Sequence, residues 1–181
     1  RAVPAPDPEL PQVGPGTQCG EYLRRFWQPV AFARDLAATP LRVRILGEDV
    51  VVFRDRSGQT GVLHLHCAHR GTSLEFGIPV EHGIRCCYHG WVYDVDGRCL
   101  ETPGEPPGSR LKERVWQGAY PTKEFSGLVF AYLGPPERRP DFPIYDSYDV
   151  KGHTLMPAAK FTLPCNWLQI KDNCMDPAHL S

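Results

Sequence analysis

Long apolar runs are missing from this sequence: none approaches the roughly 18 residues that a membrane-spanning helix needs. No secretory leader pattern is visible either. Charge is not biased to one sign. With 20 Lys and Arg against 21 Asp and Glu the net charge is −1, and no basic or acidic block occurs, which argues against nucleic acid and against a membrane surface as partners. Internal repeats and low-complexity tracts are absent. The seven cysteines show no pairing signature, and 181 residues at 41% hydrophobic and 23% charged composition carry enough core to fold without disulfides. Reduced thiols and a cytoplasmic setting are the expectation. The first residue is Arg1 rather than Met, so an N-terminal piece is expected to be processed or to lie outside this sequence.

What is present concentrates in two short stretches, Cys67-Ala68-His69-Arg70-Gly71 and Cys86-Cys87-Tyr88-His89-Gly90-Trp91, with 16 residues between His69 and Cys86. Each pairs a thiol with an imidazole. Two cysteines and two histidines can hold a 2Fe–2S cluster in which histidines replace cysteines on one iron. A structural zinc takes the same donor set. Zinc fingers, however, keep their cysteines together and their histidines together, whereas each stretch here mixes the two. Glycine also follows each histidine, and it lets backbone amides approach an inorganic sulfide closely. Cys86, not Cys87, leaves two residues before His89. A zinc-stabilised interaction domain without redox chemistry stays open as an alternative. Cys19, Cys99, Cys165, Cys174, His64, His66, His82 and His153 lack ligand spacing and read as packing or surface residues. His64 and His66 lie near enough to the first stretch to influence it.

The order of elements suits two loops held by a sheet. Residues 1–15 contain five of the 19 prolines and read as an extended arm. Thr17 reads as a helix start, with Tyr22, Leu23, Phe26 and Trp27 on one face and Pro29 as the stop. From Leu41 the apolar period becomes two. Leu41–Leu46, Val50–Phe53 and Val62–Leu65 read as strands, with turns at Gly47–Asp49 and Asp55–Gly58. Strands are also expected around Gly83–Arg85 and Trp91–Asp94, followed by a hairpin turn at Asp96-Gly97. Val115–Tyr120 and Gly127–Leu133 read as closing strands, Pro135–Pro143 as a boundary, Lys160–Pro164 as a strand, and a helix begins after Cys165.

Cys-x-His-Arg-Gly and Cys-x-x-His-Gly-Trp resemble the two boxes of the Rieske domain in ring-hydroxylating oxygenases. Respiratory Rieske proteins resemble one another in an extra disulfide, at positions that are Thr72 and Tyr88 in this chain. The likeness is therefore to the oxygenase or soluble ferredoxin branch. Gly14-Pro15-Gly16-Thr17 through Trp27-Gln28-Pro29-Val30 resembles the opening of phthalate-dioxygenase-like oxygenases. Asp176-Pro177-Ala178-His179 resembles the start of their Asp-x-x-His-x4-His mononuclear iron motif, which a later carboxylate completes.

The resemblance implies a mostly β fold: a small antiparallel β-sandwich, the cluster held between two hairpin loops, a short N-terminal helix and the start of an α+β catalytic domain. It divides the chain into an arm at 1–15, a Rieske domain at 16–135, a linker at 136–150 and a truncated catalytic-domain start at 151–181. Cys67, His69, Cys86 and His89 would be the 2Fe–2S ligands. Trp91 would cover one side of the cluster, and Arg70 would raise its potential or form a surface salt bridge. His179 would be the first ligand of a mononuclear Fe(II), and Asp176 the bridge to a Rieske histidine of a neighbouring subunit. The implied partners are an NAD(P)H-dependent reductase or ferredoxin, further copies of the chain in a homo-oligomer (a trimer), and an aromatic or aryl-ether substrate open to ring hydroxylation or O-demethylation. The other reading within this branch is a stand-alone Rieske ferredoxin. The chain is expected to be the N-terminal part of a longer oxygenase α subunit.

Overall fold

The computed structural model describes residue 5, residues 7–36 and residues 39–180, except for the side chains of residues 179 and 180. Expectations for the first four residues, and for the His179 side chain, lie outside the described residues.

Thr17 caps helix α1 (Gln18–Leu23), its Oγ1 accepting the Gly20 N–H at 3.1 Å. The helix is shorter than the sequence suggests. Trp27, expected on its apolar face, opens strand β1 (Trp27–Phe32) instead, and Tyr22 and Phe26 are exposed. Pro29 does not stop a helix; it sits in a strand at the edge of its sheet, where the ladder shifts register between Pro29 and Ala31. An edge with a bulge is where a residue without an N–H is tolerated.

The meander follows as β2 (Leu41–Ile45), β3 (Glu48–Arg54) and β4 (Thr60–His64). Leu46 and Gly47 turn the first hairpin with φ of +46° and +78°. Both central residues are thus left-handed, which matches the twist of the flanking strands. Glu48 and Asp49, expected in the turn, already pair with Ile45 and Arg44. Then come β5 (Ile78–Val80), β6 (Gly83–Arg85), β7 (Val92–Tyr93), β8 (Cys99–Glu101), β9 (Ala119–Tyr120), β10 (Thr122–Phe125) and β11 (Leu128–Tyr132).

Among the described residues these strands form three antiparallel sheets, in the orders β1-β11-β10, β2-β3-β4-β9 and β5-β6-β7-β8. Strand β3 alternates between two cores. Val50 and Val52 face Val30, Val62, Val129 and Ala131, while Val51 and Phe53 face Leu63, Leu74, Ile84 and Tyr93. The second core also contains Cys67, Cys86 and Trp91, so both cysteine-bearing stretches are anchored in packed interior. The expected closing strand Val115–Tyr120 is mostly irregular. Only Ala119 and Tyr120 join the ladder, and Trp116 makes a single bridge to Arg98.

Part of the expected linker packs on the first sheet. Trp27 Nε1–H donates to the Pro140 carbonyl at 3.1 Å, and the Phe142 ring contacts Trp27, Phe125 and Phe130. The strand expected at Lys160–Pro164 does not form, and Phe161 is 84% exposed. Residues 157–161 instead line a groove of about 480 Å³ against β1 and Leu128. The bulged, Pro29-bearing edge of β1 offers them an interrupted ladder. Helix α2 (Trp167–Met175) starts at its Asn166 cap, as expected, and Trp167 Nε1–H reaches the Pro11 carbonyl at 3.0 Å.

Candidate metal centre

The first loop leaves β4 and returns through an antiparallel bridge between His66 and Ser73, with Leu74 N–H donating to the Leu65 carbonyl at 2.7 Å. The second spans β6 and β7, paired through Ile84–Tyr93 and Arg85–Val92. Their backbones repeat one pattern. The Cys67 N–H donates to the carbonyl of Thr72 at 2.9 Å, and the Cys86 N–H to that of Trp91 at 2.8 Å. Gly71 and Gly90 N–H groups donate back to the carbonyls of Cys67 and Cys86 at 2.8 and 3.0 Å. Both glycines are left-handed, with φ of +72° and +74°, a conformation that costs other residues about 1–2 kcal/mol. That requirement explains why a glycine stands four residues after each of these cysteines.

The loops bring the four expected ligands together. Cys67 and Cys86 are buried at 4% and 3% exposure, and His69 and His89 are half-buried, with ring centroids 4.6 Å apart. Trp91 stacks on His69 at 4.3 Å with the rings 2° from parallel, so it covers that imidazole. Burial pushes the Cys86 thiol up, and the nearby Cys67 adds to this, while backbone amides of Tyr88 and His89 pull it down. Desolvation, then the His69 ring and the Arg70 charge, lower the pKa of His89 and favour the neutral imidazole that a metal binds.

The donor set fits a 2Fe–2S cluster. His69 Nδ1 is buried without a hydrogen-bond partner, an arrangement that costs about 1–3 kcal/mol unless something else satisfies the atom. Two buried thiols and two imidazoles supply four protein donors. A two-iron cluster asks for only two protein donors at each metal.

Other expected residues stand differently. Cys87 is exposed and points away from the core that holds Cys86. Arg70 is exposed, and its charge reaches His89. Asp176 is exposed at the end of α2, where its Oδ1 accepts the Ala178 N–H at 2.9 Å. His66 Nδ1 bonds the Gly71 carbonyl at 2.9 Å, closing the first loop, and His64 Nε2 bonds the Tyr120 hydroxyl at 3.1 Å.

Three neighbours carry no motif in the sequence. The Tyr93 hydroxyl lies 3.2 Å from Cys67 Sγ, its pKa raised by burial and by that sulfur. Arg85 donates to the Gly90 carbonyl at 3.0 Å and to Glu101 at 2.8 Å. Gln117, at 3% exposure, bonds the first loop from about 50 residues downstream. Only their proximity in the fold reveals them.

The family described as "Rieske [2Fe-2S] domain" matches residues 26–125. Over 172 residues the chain is 58% identical to the tert-butanol monooxygenase / tert-amyl alcohol desaturase oxygenase subunit of Aquincola tertiaricarbonis, covering 94% of this chain and 36% of that protein. It is 48% identical over 188 residues to the phenoxybenzoate dioxygenase subunit alpha of Ectopseudomonas oleovorans, covering 97% and 46%. The chain thus spans less than half the length of either relative. Among solved structures, Pseudomonas putida CBB5 NdmA superposes with a TM-score of 0.63 at 29% identity, covering 72% of this chain and 41% of that one.

Proposed function

Because this chain belongs to the Rieske [2Fe-2S] domain family, we propose that it is the electron-supplying part of a Rieske oxygenase. The observation that carries the reading is the buried, unpartnered Nδ1 of His69 beside two buried thiols and a second imidazole. In this reading Cys67 and Cys86 would hold one iron and His69 and His89 the other. A 2Fe–2S cluster so held supplies a one-electron couple at a higher potential than an all-cysteine ferredoxin. The chain's own residues tune and protect it. Trp91 fixes the His69 ring plane and excludes water from that face. The Tyr93 hydroxyl donates toward the Cys67 sulfur, which favours the more negative, reduced state. His89, half-exposed and against the exposed Tyr88 ring, is the surface-facing ligand.

Residues 16–135 form the cluster domain in this proposal, 136–150 connect it onward, and 151–181 begin a catalytic domain. There His179 would be the first ligand of a mononuclear iron, which would supply the O2 chemistry. Asp176 would link that site to a Rieske histidine of a neighbouring copy in a homo-oligomer, a trimer. An NAD(P)H-dependent reductase or a ferredoxin supplies electrons in the cytoplasm. The substrate is an aromatic or aryl-ether compound, open to ring hydroxylation or O-demethylation; the name of the phenoxybenzoate relative supports an aryl ether. The name of the relative at 58% identity favours a small tertiary alcohol as the second reading.

Anaerobic titration of the full-length protein with NADH and a trace of reductase tests the proposal. Visible absorption should bleach with one electron per cluster, and admission of O2 with substrate should restore it and form product. Bleaching without O2-dependent product from an aromatic compound, an aryl ether or a tertiary alcohol would favour a stand-alone carrier. A colourless protein would overturn both.

A further inference from the structure

The β4–β9 ladder stops short of the first loop. Its last backbone rung is the His64 N–H donating to the Gly118 carbonyl at 2.8 Å. The partner chain then turns away, and the Gln117 N–H goes to the Gly97 carbonyl at 2.8 Å. From that point the Gln117 side chain continues along the same edge. Its Nε2 donates to the carbonyls of His64 and His66 at 2.8 and 2.9 Å, and its Oε1 accepts the Ala68 N–H at 2.8 Å. His64 and His66 present their carbonyls to one side because extended backbone repeats every two residues, and the turn that begins at Ala68 brings its N–H to the same side. Two carbonyls need the NH2 end of the amide and one N–H needs its oxygen, so the partners fix its orientation.

Resting on the reading of Cys67 and His69 as ligands, we propose that Gln117 is the positioning residue of the first cluster loop. It serves as a one-residue strand that holds Cys67 and His69 in register with the second loop. The second loop has no need of such a device, since β6 and β7 pair up to Arg85 and Val92, one residue from Cys86 and from Trp91. The surroundings press the Gln117 backbone into place. A Cβ at Gly118 would lie 2.3 Å from the His64 ring, and one at Gly97 would lie 2.1 Å from the Gln117 carbonyl oxygen. Gln117 therefore has little freedom to relax.

The test uses the cluster-loaded protein and Gln117→Met, which keeps the length and loses all three bonds. Chelator-driven loss of the visible absorption should run at least about tenfold faster in the variant, which leaves two carbonyls and one N–H of the loop and its approach without their partner. The EPR g values of the reduced protein should also move. A variant that melts earlier yet keeps the parent's g values and bleaching rate would overturn the proposal, because a purely structural glutamine would behave that way. Should Gln117→Met fail to fold, hydrogen exchange on the parent decides. The peptide over residues 65–70 should stay protected as long as β4, and exchange at the rate of an open loop would refute the role. A parent protein without a 2Fe–2S cluster would instead overturn the ligand reading itself.

Discussion

The two ligand-bearing loops share a backbone but not a brace. The first, at residues 67–71, is tied by a buried neutral amide, Gln117, that reaches three of its backbone groups or their approach. The second, at 86–90, grows from a paired hairpin and is tied by Arg85, whose guanidinium spans the Gly90 carbonyl and the half-exposed Glu101 carboxylate. A cluster needs both loops at one fixed separation, and the protein meets that demand by two physical means. Buried amide bonds are insensitive to salt, whereas an exposed ion pair is screened by it.

The largest effect is expected on removing a thiol from either loop. Cys67→Ser and Cys86→Ser should each abolish the visible chromophore and lower bound iron, whereas Cys87→Ser should leave both intact. Loss of colour in Cys87→Ser with colour retained in Cys86→Ser would reverse the ligand assignment.

The glycines come next. Gly71→Ala and Gly90→Ala should each destabilise by about 1–2 kcal/mol in denaturant unfolding, because alanine resists the left-handed region. Gly90→Ala should cost more, since its Cβ would meet the Pro103 ring at 3.3 Å while Gly71 has open space. Equal losses would mean that the Pro103 segment gives way.

A smaller effect belongs to the first loop alone. Tyr93→Phe removes a donor to the Cys67 sulfur and should lower the reduction potential by roughly 40 mV, the equivalent of about 1 kcal/mol for one electron. Potentiometry showing no fall would mean that the hydroxyl does not bond the sulfur in the loaded protein. The smallest effect belongs to the second loop. Glu101→Gln should cost below about 1 kcal/mol, and the difference from the parent should vanish in high salt. A salt-independent loss would show that the Arg85 pair is not a screened surface pair.

Residues carrying chemistry by themselves were legible in the sequence, and residues acting through the fold were not. Cysteine and histidine spacing singled out the four side chains that the two loops bring together, and the meander from Leu41 to Leu65 followed from its alternation and its β-branched run. Trp27 misled because it continues the apolar helical face of Tyr22, Leu23 and Phe26, whereas it opens a strand. Pairing with β11, 100 residues away, decides that segment's conformation. Lys160–Pro164 has strand composition, but a strand needs a partner edge, and the β1 edge is broken at Pro29. Gln117 and Arg85 are invisible for a related reason. Their bonds run to backbone groups, and nothing in a residue type reveals which carbonyl it will meet.

In the proposed function the two loops jointly hold one two-iron cluster, cysteines on one iron and histidines on the other. Metal and sulfide analysis of the purified protein, combined with nitrogen hyperfine spectroscopy on its reduced Rieske EPR signal, tests this most directly. Two irons and two inorganic sulfides are expected at this centre, with two histidine nitrogens coupled to the reduced cluster. A colourless protein with one zinc, or an iron–sulfur signal without nitrogen coupling, would contradict it.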